Sequence, residues 1–398
     1  MNRSPAGRCW VLAALLILVG CSATVDGSAE ADPSAIRLDT GGYPTAPRAV
    51  PERTNINDSR VQSSYDLSAY LVAPAEIDKN FTWVAPASTP VLPSLAGIGT
   101  FFGIPFAAPL SQNESFVGGA VSARQTTKIE RESPDTARMF TALIRYRTAE
   151  NAGAAARAVR TGFGADQPSR IPAHPDAFPG AAITPRGLTR VWWMPVGDQL
   201  LMVGFGNVGE SSADVLAATW FDRQIAALRT LTTTAEQMLR PPPDRDGIMS
   251  LTLPNVVRTS DGTQPSLGYL TPRAWLHAAA DDWLETKVRL EQAGVDLIGA
   301  AGSVVQRTRS GAAARNLFDD YSRDAGASGA ATTREPAARG VPGVVCESYL
   351  TRANGDPRKA YSCAFVAGRY YVSTDAVSTL VQAHQQATAS YLMVKDAK

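Results

Sequence analysis

Histidine and cysteine are scarce in this chain of 398 residues, which holds three of the first and four of the second. His174, His277 and His384 lie far apart, with no second histidine or free cysteine at ligand spacing, so no metal site is expected. The serine-hydrolase elbow Gly-x-Ser-x-Gly is missing, as are Ser-x-x-Lys and the Gly-Lys-Ser/Thr phosphate loop. Neither sign of charge is in excess, with 38 basic against 37 acidic side chains. That balance leaves no basic stripe for nucleic acid and no acidic tail for a cationic partner. No run after Cys21 could cross a bilayer as a plain helix, which takes about 20 apolar residues. These absences lower the expectation of catalysis without removing it, because triads can be scattered along a sequence. No cofactor is expected.

What is present begins at the first residues. Arg3 and Arg8 precede an uncharged run from Cys9 to Gly20, the layout of a secretory signal over 1–20. The run ends in Leu18-Val19-Gly20-Cys21, which resembles the bacterial lipobox and implies a diacylglycerol on Cys21 after cleavage before it. The expected location is extracytoplasmic, held to the cell membrane by lipid. Residues 21–58 are rich in Ser, Ala, Asp, Pro, Thr and Gly without hydrophobic period, and read as a flexible tether. An apolar fraction of 44% can build real cores, and the length suggests two domains. Arg240-Pro241-Pro242-Pro243-Asp244 supplies the joint, since three prolines end a helix and form a stiff spacer. The expected domains cover 59–240 and 241–398.

No charged residue occurs from Asn80 to Asn113, and 91–110 gathers Phe101, Phe102, Ile104 and Phe106 among prolines and glycines. Two readings are open. The segment is an apolar flap or membrane-facing surface, with those four residues lining a ligand site, or it packs over the core of the first domain.

A pattern then appears twice. Phe140–Arg147 alternates as a strand, with Ile144 and Tyr146 on one side and Arg145 and Arg147 on the other. An alanine-rich helix follows, then strands 190–195 and 199–205 around Gly197-Asp198, then a helix capped by Ser211 or Ser212. In the second half come strand 303–308, helix 311–323, strands 344–350 and 360–374 and a final helix capped by Asp375. Gly153–Arg157 recurs as Gly311–Arg315, and the Gly197 turn matches Gly368. The shared order predicts an internal duplication. Arg145 and Arg147, with Arg307 in the equivalent strand, either line an anionic groove or form a solvent face.

Only Cys346 and Cys363 remain for pairing once Cys9 and Cys21 are set aside, and in an exported protein an even pair reads as a disulfide. They are symmetric about Asn354-Gly355, the strongest short hairpin signal. Counting outward from the 353/356 pair puts 346 opposite 363 at a non-hydrogen-bonded position, where Cα atoms lie about 4.5 Å apart. Such a bridge is structural.

Other features carry less. Thr271-Pro272 starts a helix on which Trp275 and Trp283 fall near one face, read as core. Asp281, Asp282 and Glu285 read as a solvated acidic face. Gly204, Gly206 and Gly209 form a Gly-x-Gly-x-x-Gly without the βαβ unit a dinucleotide site needs, and read as a strand-to-helix turn.

Taken with the lipobox, the repeated halves and the late disulfide, the stretches Ala142–Phe163, Arg190–Phe205, Gly268–His277, Ala293–Ile298 and Cys346–Tyr371 resemble a two-domain lipoprotein family of mycobacteria and related actinobacteria. The resemblance implies location and architecture, and it transfers no catalytic or binding residue. The expected fold class is α+β, two related domains, each an antiparallel sheet with helices packed on one face. The expected role is non-catalytic binding of a lipid-like ligand or an envelope partner protein. A structural envelope protein, or a hydrolase without a recognisable motif, stands as the alternative.

Overall fold

A computed structural model of the chain describes residues 38–85, 91–94, 101, 115–128, 136–162, 171–180, 183, 187–254, 268–279, 281–327, 332–353, 356–374 and 377–397. Leu38–Lys398 cluster as one compact unit. Among the described residues, nine α-helices and thirteen strands form two antiparallel sheets, a mixed α+β architecture.

The first sheet comprises β1 (Trp83–Val84), β2 (Phe116–Gln125), β3 (Arg138–Tyr146), β4 (Phe178–Gly180), β5 (Arg190–Val196) and β6 (Gln199–Gly206). Its helices are α1 (Ile56–Ser68), α2 (Pro74–Ile77), α3 (Ala149–Gly162), α4 (Glu210–Leu228) and α5 (Ala235–Met238). The second sheet comprises β7 (Gly268–Leu270), β8 (Leu297–Ala300), β9 (Ser303–Arg307), β10 (Thr333–Glu335), β11 (Val345–Ala353), β12 (Asp356–Ala367) and β13 (Tyr370–Thr374). Its helices are α6 (Pro272–Ala279), α7 (Trp283–Ala293), α8 (Gly311–Ala327) and α9 (Leu380–Val394).

The strand orders show the duplication. The first sheet runs β1-β2-β3-β6-β5-β4 and the second β7-β8-β9-β13-β12-β11, with β10 added at the edge. In each, a strand leads through a helix (α3 or α8) to a hairpin whose second arm returns beside that strand, and a helix (α4 or α9) follows. The hairpin turns match in backbone as well, with φ of +56° at Gly197 and +54° at Gly368, values that glycine adopts without strain. The Gly-Ala-Ala-Ala-Arg match is out of register: it begins one turn inside α3 and at the first residue of α8.

Helices cover both faces of each sheet. Phe140, Ala142, Ile144 and Tyr146 of β3 pack toward α3, whereas Met139 and Leu143 pack toward α4. In the second sheet α9 covers one face, and α6, α7 and α8 cover the other. The alternation in β3 is therefore apolar on both sides, which is why Arg145 is buried instead of solvated.

Three local details differ from expectation. Gly209, not Ser211 or Ser212, is the cap of α4, and Thr379 caps α9 by accepting from the Gln382 N–H; Asp375 lies outside the described residues. The span from 38 to 55, read as tether, is laid along the second sheet's side of the unit. The Arg48 N–H donates to Ser250 O, its Nε donates to Thr252 O, and the Tyr43 hydroxyl accepts from Gln382 and Gln386. The α6 helix stops at Ala279, and a second helix starts at Trp283 with Asp282 as its cap.

Cys346 and Cys363 are bonded, with Cα atoms 4.0 Å apart. Their register continues through 352/357 to 353/356, as the symmetry predicts, while Asn354 and Gly355 themselves lie outside the described residues. The Cys363 N–H points away from β11 and donates to Thr374 Oγ1, as a non-hydrogen-bonded pair requires.

Candidate functional site

The two sheets meet through side chains that the sequence did not single out. Gln62 of α1 is buried and grips the edge strand β7 with both ends of its amide: Nε2 donates to Tyr269 O at 2.9 Å, and Oε1 accepts from the Tyr269 N–H at 3.2 Å. Arg124 of β2 is 1% exposed, and its guanidinium donates to Leu276 O at 2.6 Å and to Thr82 O and Asp281 O at 3.4 Å. It also stacks over Trp283 at 5.2 Å. Burial lowers its pKa to about 10, against the pull of Asp281 and Asp282, so the charge persists at neutral pH. A charged residue near the end of the otherwise uncharged run 116–125 was the available signal.

Backbone pairing extends the junction. The Val84 N–H donates to Asp281 O at 2.8 Å, and the Trp283 N–H donates to Thr82 O at 2.9 Å. His277 is buried against Trp283, with ring centroids 4.6 Å apart. Burial, helped by Arg273 and Arg124, holds its pKa well below the ordinary imidazole value.

Beside this junction lies a groove of about 520 Å³, within the range of roughly 300–1,000 Å³ usual for small-molecule sites. Trp83 and Lys128 line it from the first sheet's side. Trp275, the 281–289 stretch, Tyr321 of α8, and Gln306, Tyr371 and Ser373 of the second sheet complete it. The Asp282 carboxylate is already engaged, accepting from Thr82 Oγ1 at 2.7 Å and from the Glu285 N–H at 2.9 Å. Asp281 and Glu285 are exposed at the rim. The Tyr371 hydroxyl is hydrogen-bonded with Ser373, and burial raises its pKa, so it stays protonated. Gln306 is 2% exposed, and its Oε1 has no hydrogen-bond partner among the described residues.

The tryptophan pair is thus divided: Trp283 is core, and Trp275 faces the groove. The acidic trio, read as a solvated face, borders the groove and caps a helix.

Other sequence candidates fall elsewhere. Phe101 is fully buried 5.8 Å from Phe140, in the core of the first sheet, so it offers no face to a ligand. Phe102, Ile104, Phe106 and Cys21 lie outside the described residues. The described start of that apolar segment is also core: Leu92 is buried, and its N–H donates to Gly119 O at 2.7 Å.

The three arginines do not line an anionic groove. Arg145 pairs with Asp198 at 2.9 Å, Arg147 pairs with Glu236, and Arg307 pairs with Asp296 and Asp246. At Gly206 an added Cβ would lie 2.2 Å from Gly187 O, so close backbone approach explains that glycine without a phosphate. His384 Nε2 donates to Pro336 O, and His174 sits 3.2 Å from Asp222. No group of three metal-ligating side chains occurs among the described residues, and none of their helices is long and apolar enough to cross a membrane.

Two family models match the chain. Both are described as a domain of unknown function, DUF7373, its N-terminal part over residues 50–243 and its C-terminal part over residues 251–397. No curated protein and no solved structure matches.

Proposed function

The chain belongs to the DUF7373 family, and from the lipobox-like Leu18-Val19-Gly20-Cys21 run and the junction groove we propose a non-catalytic lipoprotein of the cell envelope, anchored through Cys21, that binds a ligand between its two sheets. The observation that carries the reading is the groove, where four aromatic side chains and Gln306, whose buried amide oxygen is unpaired among the described residues, line a small-molecule-sized volume. A wholly apolar tunnel would suit an acyl chain. This lining is mixed, which favours a ligand with both polar groups and flat apolar faces.

Hydrolysis is less well supported. Ser373 has beside it the Tyr371 hydroxyl, which burial keeps protonated, and the described residues place no histidine on the groove. The rim carboxylates Asp281 and Glu285 are exposed, and Glu285 is already paired with Arg289, which makes them weak bases for the serine proton.

Native mass spectrometry of the intact exported chain tests the binding reading. A discrete added mass that is lost in organic solvent, and lost also in Trp275→Ala, is the expected result. A clean apo mass would redirect the search to partner proteins of the envelope. The anchor is tested separately: Cys21→Ala should be released from membranes or remain unprocessed. Unchanged membrane retention would remove the anchor from the reading.

A further inference from the structure

We infer that the junction groove holds a neutral polyhydroxylated ligand, a sugar or short oligosaccharide, with Gln306 Oε1 accepting one of its hydroxyls. The inference rests on the reading of the groove as a ligand site and narrows its chemistry.

Gln306 supplies the first argument. It lies on β9 opposite Tyr371 of β13, nine-tenths and more buried, and its amide oxygen has no donor among the described residues. Buried polar atoms are nearly always paired, because an unmade bond forfeits the hydration lost on burial. Gln306 lines the groove while its Oε1 is closed to solvent, so an O–H or N–H entering the groove makes the missing bond when the amide turns toward it. An acyl chain would leave it unmade and would also strip water from Asp281 and Glu285.

Charge decides between kinds of donor. The groove is lined by carboxylates, Asp281 and Glu285 among them, and by the cations Lys128 and Arg289. Lys128 stands 5.5 Å over the Trp83 ring, and Arg289 is ion-paired with Glu285. A cationic ligand would meet Lys128 and Arg289 at close quarters, and an anionic one would meet Asp281 and Glu285. A neutral polyol avoids both repulsions. Each hydroxyl can donate to a carboxylate or to Gln306 and accept from Lys128. The indoles of Trp83 and Trp275 then offer broad apolar surfaces to the C–H face of a sugar ring, as amphipathic aromatic side chains do at wet interfaces.

The test is a glycan array carrying glucose, mannose, galactose, N-acetylglucosamine and their α- and β-linked dimers and trimers. It is probed with the intact lipoprotein in detergent, and any hit is followed by titration calorimetry. The expected result is binding that weakens at least tenfold in Gln306→Leu and in Trp275→Ala, at unchanged melting temperature. Gln306→Glu, which keeps an acceptor at that place, should retain most of the affinity. Binding indifferent to Gln306→Leu overturns the assignment of that residue. A silent array, together with a bound mass that Trp275→Ala displaces and that is not a carbohydrate, overturns the sugar class and leaves the groove reading standing. A silent array with no bound mass overturns both.

Discussion

Arg124 and Asp66 show how a single ionisable group can be fixed at the junction for opposite reasons. Arg124 remains charged in a dry place because three backbone carbonyls and the Trp283 ring replace its water. Replacing it with methionine keeps the bulk and withdraws those donors. Hydrogen bonds to charged groups contribute about 1.5–3 kcal/mol each at best, and these are unequal in length. We expect Arg124→Met to lower unfolding free energy by about 3 kcal/mol in urea titrations; a loss below about 1 kcal/mol would mean water already serves those carbonyls. Asp66 is the converse. Burial pushes its carboxyl up to about 6 from 3.8, although Arg245, Gln62 and Arg53 all pull downward. The folded state therefore binds this proton more tightly than the unfolded chain does between those two values. Stability from this group is fully present below about pH 4 and falls as pH rises to about 6, by on the order of 2–3 kcal/mol. In Asp66→Asn that slope should vanish from a plot of melting temperature against pH, and an unaltered slope would assign the titration elsewhere.

At the scale of elements, the late hairpin is the part most legible in the sequence. Asn354-Gly355 is the turn signal in the sequence, the period of two predicts every pair from there, and Cys346 opposite Cys363 follows by counting. The strand–helix–hairpin–helix order was legible for a similar reason, since both copies carry a glycine at the same turn. Legibility fails where partners come from afar. Gln62 bonds across 207 residues, and the Arg124 guanidinium across 152, so no local pattern announces either. Arg145 was misleading in a different way, since its alternation suggested exposed surface but helices on both faces of the sheet bury it, and Phe101 takes the core-packing reading of the two its segment left open. Gln306 gave no signal at all, because a lone polar residue in a strand reads as solvent-facing. The hairpin also yields the prediction of this scale. A bridge between residues 17 apart constrains the unfolded chain by about 3 kcal/mol in the chain-entropy model. Reducing it, or replacing both cysteines with serine, should lower unfolding free energy by about that amount and leave the fold intact by circular dichroism. A negligible change would mean that the unfolded hairpin is already closed without the bond.

For the whole molecule, the family models divide the chain between residues 243 and 251, yet the described structure from Leu38 onward is one compact unit. The reason is that the first half contributes to the core of the second. Tyr65 and Ala73 are buried in the same cluster as Leu270, Trp283 and Leu317. Arg273 of the second half clasps Glu76 of the first through two bonds, of 2.9 and 2.6 Å. The backbone around β1 pairs with 281–283, and the 38–55 span lies along the second half before α1 enters the first. Unfolding either sheet alone would expose that shared apolar surface and break the Arg124 and Gln62 bonds at once. The halves are duplicated in topology but should not be independent in stability. Calorimetry of the oxidised protein should therefore give one transition, with calorimetric and van't Hoff enthalpies equal. Two resolved transitions would show that the shared cluster is too weak to couple the sheets. In that case the groove between them could open by movement of one half against the other, and its occupant would be expected to raise the lower transition selectively, because a ligand that bridges both halves stabilises only the joined state.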